Sequence, residues 1–396
     1  MQERKCSGCS YTESRPVAKT GHTYNALNIC QTCWYVNLDE NAAFVELGVI
    51  CDNWYGSGAT ANYAWDVKLW NGKLYRGAGD YDKNSGATKI LAYDLTTQTW
   101  EISGTANDEA IHGFEEIGGT LYAPGIDPLG GHTLGNFYVL EEDGGWKMVR
   151  NLPNGIHCFD MAECNGKIFA GLGTGKTANT VAVSEDGGKS FQIVPLYKDG
   201  APMDVSSYKL SRTHEFIKYK DDIYALVYFH MGFGGGFSLF RYDDGKMVYV
   251  ENGYMLAFGS GVSRKYIGGN VEFNGTCYVT ASGLYAITDF SDMNNYQKID
   301  MPNKETVVDA LVKDGALYVL ATSSNRNAGT QTTESYKTVI YKSTTGQKGS
   351  FEEVLQFDYS SFPLSFDWDG TYFYIGTGTS VVKAKTGMIL RVKAAA

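Results

Sequence analysis

From residue 43 onward, apolar and polar positions alternate with a period of two over short runs, and the runs recur in groups. Each group opens with an apolar strand, turns through a pair such as Asn71-Gly72 or Asn274-Gly275, and continues into an aliphatic–aromatic strand. A loop and two more strands follow. The second strands are marked by Leu74-Tyr75, Leu121-Tyr122, Ile168-Phe169, Ile223-Tyr224, Cys277-Tyr278, Leu317-Tyr318 and Phe373-Tyr374. The aromatic markers lie 47, 47, 55, 54, 40 and 56 residues apart, each interval long enough for four strands and their loops.

Fourth strands read as Thr99-Trp-Glu-Ile, Trp146-Lys-Met-Val, Ser190-Phe-Gln-Ile-Val, Lys246-Met-Val-Tyr-Val, Tyr296-Gln-Lys-Ile and Phe351-Glu-Glu-Val-Leu. The seventh group stops at Met388-Ile-Leu-Arg-Val392, and Ala43-Phe-Val-Glu-Leu47 fits its missing strand. Borrowing that strand from the front of the chain would remove two open sheet edges. The pattern predicts an all-β fold: a seven-bladed β-propeller over residues 43–393, closed by an N-terminal strand, behind a small separate module over residues 1–37.

Composition agrees with strands. The 396 residues include 47 Gly, 28 Tyr, 19 Phe and 7 Trp, and 43% are hydrophobic, enough for a real core. A net charge of −10 argues against nucleic acid or an anionic membrane as the main partner. No apolar run approaches the length of a membrane span, so no membrane insertion is expected. Met1-Gln-Glu-Arg-Lys-Cys6 shows no apolar stretch of a signal peptide. Residence inside the cell, export within a larger particle and trimming for expression all fit that start.

Cys6-x-x-Cys9 and Cys30-x-x-Cys33 form two knuckles with 20 residues between them. Each places two thiolates on one side of a tight turn, and two such turns make the tetrahedral sulfur cage that zinc prefers. A segment this short buries too little core to fold alone, so a structural zinc on Cys6, Cys9, Cys30 and Cys33 would supply much of its stability. Two disulfides in a secreted protein are the alternative. His22 can replace one cysteine, although beside four thiols it reads more simply as a neighbour of the site.

Together with Tyr11-Thr-Glu-Ser and Lys19-Thr-Gly-His-Thr-Tyr24, the two knuckles resemble a short repeat module of large cell-surface and secreted proteins of anaerobic gut bacteria. The resemblance implies a spacer or attachment module, and with it a place outside the cell, on its surface or on a virion. Ile90-Leu-Ala-Tyr93-Asp-Leu-Thr-Thr-Gln-Thr-Trp100, with Gly118-Gly119 in the next group, resembles a kelch repeat. Ser184-Glu-Asp186-Gly-Gly188-Lys-Ser190-Phe191 resembles the Asp-box turn of sialidases and similar propellers. Both imply architecture and no particular activity. Asp186 is accordingly read as an acceptor of backbone amides.

Counting six residues back from each turn glycine, or its equivalent, gives Asp66, Gly113, Asp160, Glu215, Gly269, Asp309 and Leu364. First strands line a propeller's channel, so these carboxylates would meet around the axis and raise one another's pKa values unless a cation or sugar hydroxyls relieve them. The alternative is that each bonds amides of the neighbouring blade. His112, His157, Arg212 and His214 stand one to three residues away and are expected at the same mouth.

Ala170-Gly-Leu-Gly-Thr-Gly175-Lys176-Thr177 matches a loose phosphate-loop pattern, but a strand follows it where a helix is required, which excludes nucleotide binding. Cys51, Cys158, Cys164 and Cys277 are expected as buried free thiols. Neither Gly-x-Ser-x-Gly nor His-Glu-x-x-His is present, and no Arg-Ile-Pro precedes the repeats. Gly232–Phe237 and Ser323–Thr333 read as exposed loops suited to partner contacts.

Two functions are compatible with this inventory. One is a non-catalytic recognition or assembly protein: an adhesin, a carbohydrate-binding module, or a component of a virion or filament, taking a glycan or protein partner at Asp66, His112, His157, Asp160, Arg212, His214, Glu215 and Asp309. The other is a glycan hydrolase or lyase with Asp160, Glu215 and Asp309 as its acid, base or nucleophile.

Overall fold

Asn71-Gly72, Asn165-Gly166, Asn274-Gly275 and Asp314-Gly315 place both turn residues at positive φ, between 47° and 77°. This conformation matches the twist of two antiparallel strands, and Asn, Asp and Gly adopt it at little cost. Each pair therefore closes a tight hairpin between a first and a second strand. The computed structural model describes residues 2–5, 12–15, 21–39, 41–48, 60–83, 85–131, 133–174, 180–204, 208–230, 235–251, 268–280 and 283–394.

Among these residues, five sheets are free-standing antiparallel meanders of four strands. Four of them open with Val67–Trp70, Glu115–Ile117, Gly268–Phe273 and Thr306–Lys313. The fifth runs Ser361–Trp368, Tyr372–Ser380, Ile389–Lys393 and then Phe44–Gly48. Its last pairing is antiparallel, with Phe44 opposite Val392 and Glu46 opposite Leu390. The strand expected to complete the final sheet from the front of the chain does so.

The expected third and fourth blades are not separate. His157–Cys164 and the strands after it share one thirteen-stranded sheet with Leu210–Tyr219 and its successors. Gly173 and Thr174 join the two parts by pairing with Arg212 and Ser211. The architecture is an all-β propeller in which five blades stand free and the remaining strands are fused. Fusion was not foreseeable from the period, because short bridging strands such as Asp108–Ile111 and Ile126–Pro128 extend the ladder between neighbours.

Apolar side chains fill the spaces between neighbouring sheets. Tyr75, Phe114, Leu121 and Tyr138 pack in one such layer, and Val308, Tyr318, Phe366 and Phe373 in another. The aromatic markers that betrayed the repeat pack in these and the corresponding layers, Tyr122 half-buried and the other six buried. Cys158, Cys164 and Cys277 are buried free thiols, as expected, whereas Cys51 lies outside the described residues.

Two loop expectations need correction. Ser323–Arg326 continues the strand Ala316–Arg326 and pairs with Thr333–Ser343, so the exposed segment shrinks to a short turn. Gly235 to Phe237 likewise lie in a strand, opposite Tyr228 to His230; residues 232–234 lie outside the described residues. In both places the hairpin continues past the point where the sequence turns polar. The proposed phosphate loop falls largely on residues outside the description, but the strands on either side, Lys167–Thr174 and Val181–Ser184, pair directly with each other.

Asp186 accepts hydrogen bonds within its own turn. It accepts the Ser190 amide at 2.9 Å and the Ser190 hydroxyl at 2.6 Å, and Ser184 Oγ accepts the Gly188 amide at 2.8 Å. These bonds, led by the Ser190 hydroxyl, hold its carboxyl down at about 2.

Candidate functional site

A β-bulge interrupts the first strand in five places, between Cys158 and Asp160, Thr213 and Glu215, Gly268 and Asn270, Val307 and Asp309, and Pro363 and Ser365. A bulge inserts one unpaired residue and re-aims the side chains around it. The inserted residues Phe159, His214, Gly269, Val308 and Leu364 all line a central channel of about 580 Å³. In register, Asn270 and Ser365 are the counterparts of Asp160, Glu215 and Asp309; Gly269 and Leu364 are not. Counting back from the turn failed there because the strand between bulge and turn is one residue shorter in those two sheets.

The carboxylates on this ring are engaged with neighbouring strands around the axis. Asp66 accepts the Phe114 amide at 2.9 Å, and Asp160 accepts the Phe216 amide at 2.5 Å. Asp309 accepts the amides of Gly269 at 3.1 Å, Phe366 at 3.2 Å and its own neighbour Ala310 at 2.8 Å. Glu215 differs. Its Oε1 accepts the Asn270 side-chain amide at 2.8 Å, while its Oε2 is buried with no partner among the described residues. Glu163 and Asp367 extend the pattern by accepting the amides of Gly118 and Leu69.

Loss of water dominates the electrostatics. Burial pushes Asp66 up to about 6, and Asp160 and Asp309 up to about 7; the charge of Asp66 adds to the effect on Asp309. Glu215 and Glu115 are raised well above the usual carboxylate range, again by burial first and by neighbouring carboxylates second. The neighbouring carboxylates do raise Asp66, Asp309, Glu115 and Glu215, as expected, but loss of water is the larger cause. Lys68 stands among these acids. Burial works against its charge, but Asp66, Glu115, Asp367 and Glu116 outweigh that effect and its pKa rises.

The residues expected at the mouth come together as an arc of rings. Trp65 and His112 lie 4.4 Å apart between ring centres, Tyr81 reaches His112 at 5.6 Å and His157 at 5.4 Å, and Phe159 reaches His157 at 5.2 Å and His214 at 4.4 Å. The Arg212 guanidinium lies 5.8 Å from the Tyr81 ring and 5.6 Å from the Phe159 ring. Sequence reasoning missed Trp65, Tyr81 and Phe159. A signal was present for two of them: Trp65-Asp66, His112-Gly113, Phe159-Asp160 and His214-Glu215 repeat a ring side chain just before the ring position. Nothing in the sequence marked Tyr81, which arrives from the loop after a second strand.

A second candidate lies near the front of the chain. His22 Nδ1 is 3.1 Å from Cys30 Sγ and 3.4 Å from Cys33 Sγ, and the three donor atoms are close enough to share a metal ion. The Cys33 backbone amide, and then the His22 ring, pull the Cys30 thiol down to about 6, which favours the thiolate a metal needs. Cys30 and Cys33 are free thiols, not joined to each other. Cys6 and Cys9 lie outside the described residues. His22, taken from the sequence as a bystander, stands among the donors because Gln31 bonds back to Thr23 and folds the segment over.

No protein family and no curated protein matches the chain. Solved structures are similar in fold. A chain of the mitotic checkpoint complex superposes with a TM-score of 0.50 at 7% identity, covering 91% of this chain and 98% of that one. An ancestral GH74 enzyme gives 0.50 at 13% identity over 87% of this chain, which spans 50% of that chain's length. A structure described as YCF48 bound to D1 peptide gives 0.48 at 11%, covering 90% and 98%. At such identities the likeness concerns the propeller fold alone.

Proposed function

We propose that this protein is a seven-bladed propeller that works by recognition, seating a glycan or protein partner at the axial mouth, with zinc as the structural metal of its N-terminal module. Seven is adopted because the cross-strand bonds run from Asp66 to Phe114 and onward around the axis until Asp367 returns to Leu69. The two four-strand runs within the fused sheet then count as one blade each. Zinc is favoured because imidazole and thiolate donors suit it; the sequence adds Cys6 and Cys9 to the candidate ligands. The kelch-like and Asp-box-like turns fit the same architecture.

The observation that carries the recognition reading is the engagement of Asp66, Asp160 and Asp309 with backbone amides. A carboxylate holding two sheets together is a poor general base, since moving its proton disturbs the ring. The arc of Trp65, Tyr81, His112, His157, Phe159 and His214 beside Arg212 supports a seat at this place. Rings offer stacking faces to sugars and to aromatic side chains, and Arg212 offers a charged fork. A role within a larger assembly, at a cell surface or in a virion, is consistent with such a seat.

One feature favours the enzymatic alternative. Glu215 lines the channel with a raised pKa and an oxygen that has no partner among the described residues, and so has the character of a general acid. A glycan array followed by calorimetry separates the two. Recognition requires binding that falls at least tenfold in Tyr81→Ala and Arg212→Ala, with no product formed. Turnover of any glycan that disappears in Glu215→Gln, with melting unchanged, would overturn the proposal in favour of catalysis.

A further inference from the structure

The cysteine cluster is built into the ring wall and does not hang from an arm. Ile29 and Val36, which bracket Cys30 and Cys33, are both buried in one apolar cluster with Leu47, Leu74, Leu91, Trp100 and Ile389. That cluster joins the first free-standing sheet to the sheet closed by Phe44–Gly48. The contact with Ile29 is tight enough that a Cβ on Gly48 would stand 2.2 Å from Ile29 Cδ1.

Hydrogen bonds follow the same path. The Val36 amide donates to Gln98 O at 2.8 Å, and the Trp100 amide donates to Trp34 O at 3.2 Å. Trp100 Nε1 donates to Leu47 O at 2.9 Å, inside the closing strand itself. Arg391, on the strand paired with it, donates to Asp39 O at 3.3 Å. The segment carrying the donors thus bridges the outer strand of one sheet and both strands of the closing pair.

From this placement, we propose that a soft divalent cation held by His22, Cys30 and Cys33 acts as a latch on ring closure: metal binding fixes Ile29 and Val36, which in turn hold Phe44–Gly48 against Ile389–Lys393. The inference rests on the metal reading above and goes beyond it, since a merely local knuckle would leave the closing strands unaffected. Tetrahedral coordination with ordinary zinc–sulfur and zinc–nitrogen bonds separates N and S donors by about 3.5 Å. The observed 3.1 and 3.4 Å need only a small expansion to admit the ion. Residues 21–39 contribute few buried side chains of their own, so free energy released on binding the ion is transferred to whatever those few side chains touch.

The test uses the full chain, loaded with cobalt as a spectroscopic substitute and compared with the chelated protein. Hydrogen exchange is followed over residues 44–48 and 389–393, with the hairpin 316–343 as an internal reference. Chelation is expected to speed exchange at least tenfold across the closing pair and to leave the reference unchanged. Cys30→Ser and the milder His22→Gln are expected to do the same and to alter the thiolate-to-cobalt absorption. Ile29→Ala is expected to keep that absorption yet lose the protection. If cobalt produces no thiolate band, the metal reading fails and the latch with it. If the band appears, depends on His22 and Cys30, and exchange at the closing pair is indifferent to chelation, the metal reading stands and the latch is overturned. A band unaltered in His22→Gln would overturn the donor set proposed here.

Discussion

At Gly269 a side chain would collide with the acid ring. A Cβ there would stand 2.8 Å from Asp309 Oδ1 and 3.0 Å from Ala310 O, and the Gly269 amide is one of the three donors to Asp309. The bare backbone lets the carboxylate sit over it. Gly269→Ala is therefore expected to destabilise the protein by about 1–3 kcal/mol, read as a lowered denaturant midpoint with unchanged slope. An unchanged midpoint would mean that Asp309 can move aside without cost. Such detail escapes a sequence because it depends on which strand lies next door. Asp160 and Glu215 were legible as ring positions, whereas Asn270 was not, since the strand between bulge and turn is one residue shorter there and the count back from the turn lands on Gly269.

At the scale of strands, the closing element Phe44–Gly48 has one fully buried anchor, Leu47, packed within the cluster that holds Ile29 and Trp100. Leu47→Ala empties a fully buried position in that cluster, and should cost about 2–5 kcal/mol in a denaturation experiment. A loss below 1 kcal/mol would show that the closing strand is held by its backbone ladder alone. This strand was readable from the sequence because the seventh group lacked a fourth strand and residues 43–47 had the right pattern. Hairpins closed by Asn-Gly were readable for the same reason: their turn chemistry is local. Fusion of two blades was not, because Gly173 and Arg212 carry no mark of pairing and meet only through the geometry of the ring. His22 belongs to the same class, since its approach to the thiols follows from a fold-back of the chain.

For the molecule as a whole, the channel makes stability depend on pH. Asp66, Asp160 and Asp309 hold protons more tightly when folded, at about 6, 7 and 7, than unfolded, where aspartate titrates near about 4. A raised pKa contributes stability that is complete below the unfolded value and lost as pH rises through the folded one. Stability is therefore expected to fall between about pH 4 and 7, by up to about 1.4 kcal/mol per pH unit for each group titrating, and the calorimetric melting temperature to fall with it. Asp160→Asn should flatten the slope, and a curve that rises over that range would contradict the burial described here. Carboxylates such as Asp186, held at about 2, act oppositely but only in stronger acid.

The pairing of residues 44–48 with 389–393 also fixes an order of events during synthesis. The ribosome releases the earlier partner more than three hundred residues before the later one. Until the final sheet emerges, that early segment is a lone edge with its amides exposed, able to pair with any passing strand. Birth of the ring is thus a waiting problem, and its most vulnerable moment comes just before residues 389–393 leave the tunnel.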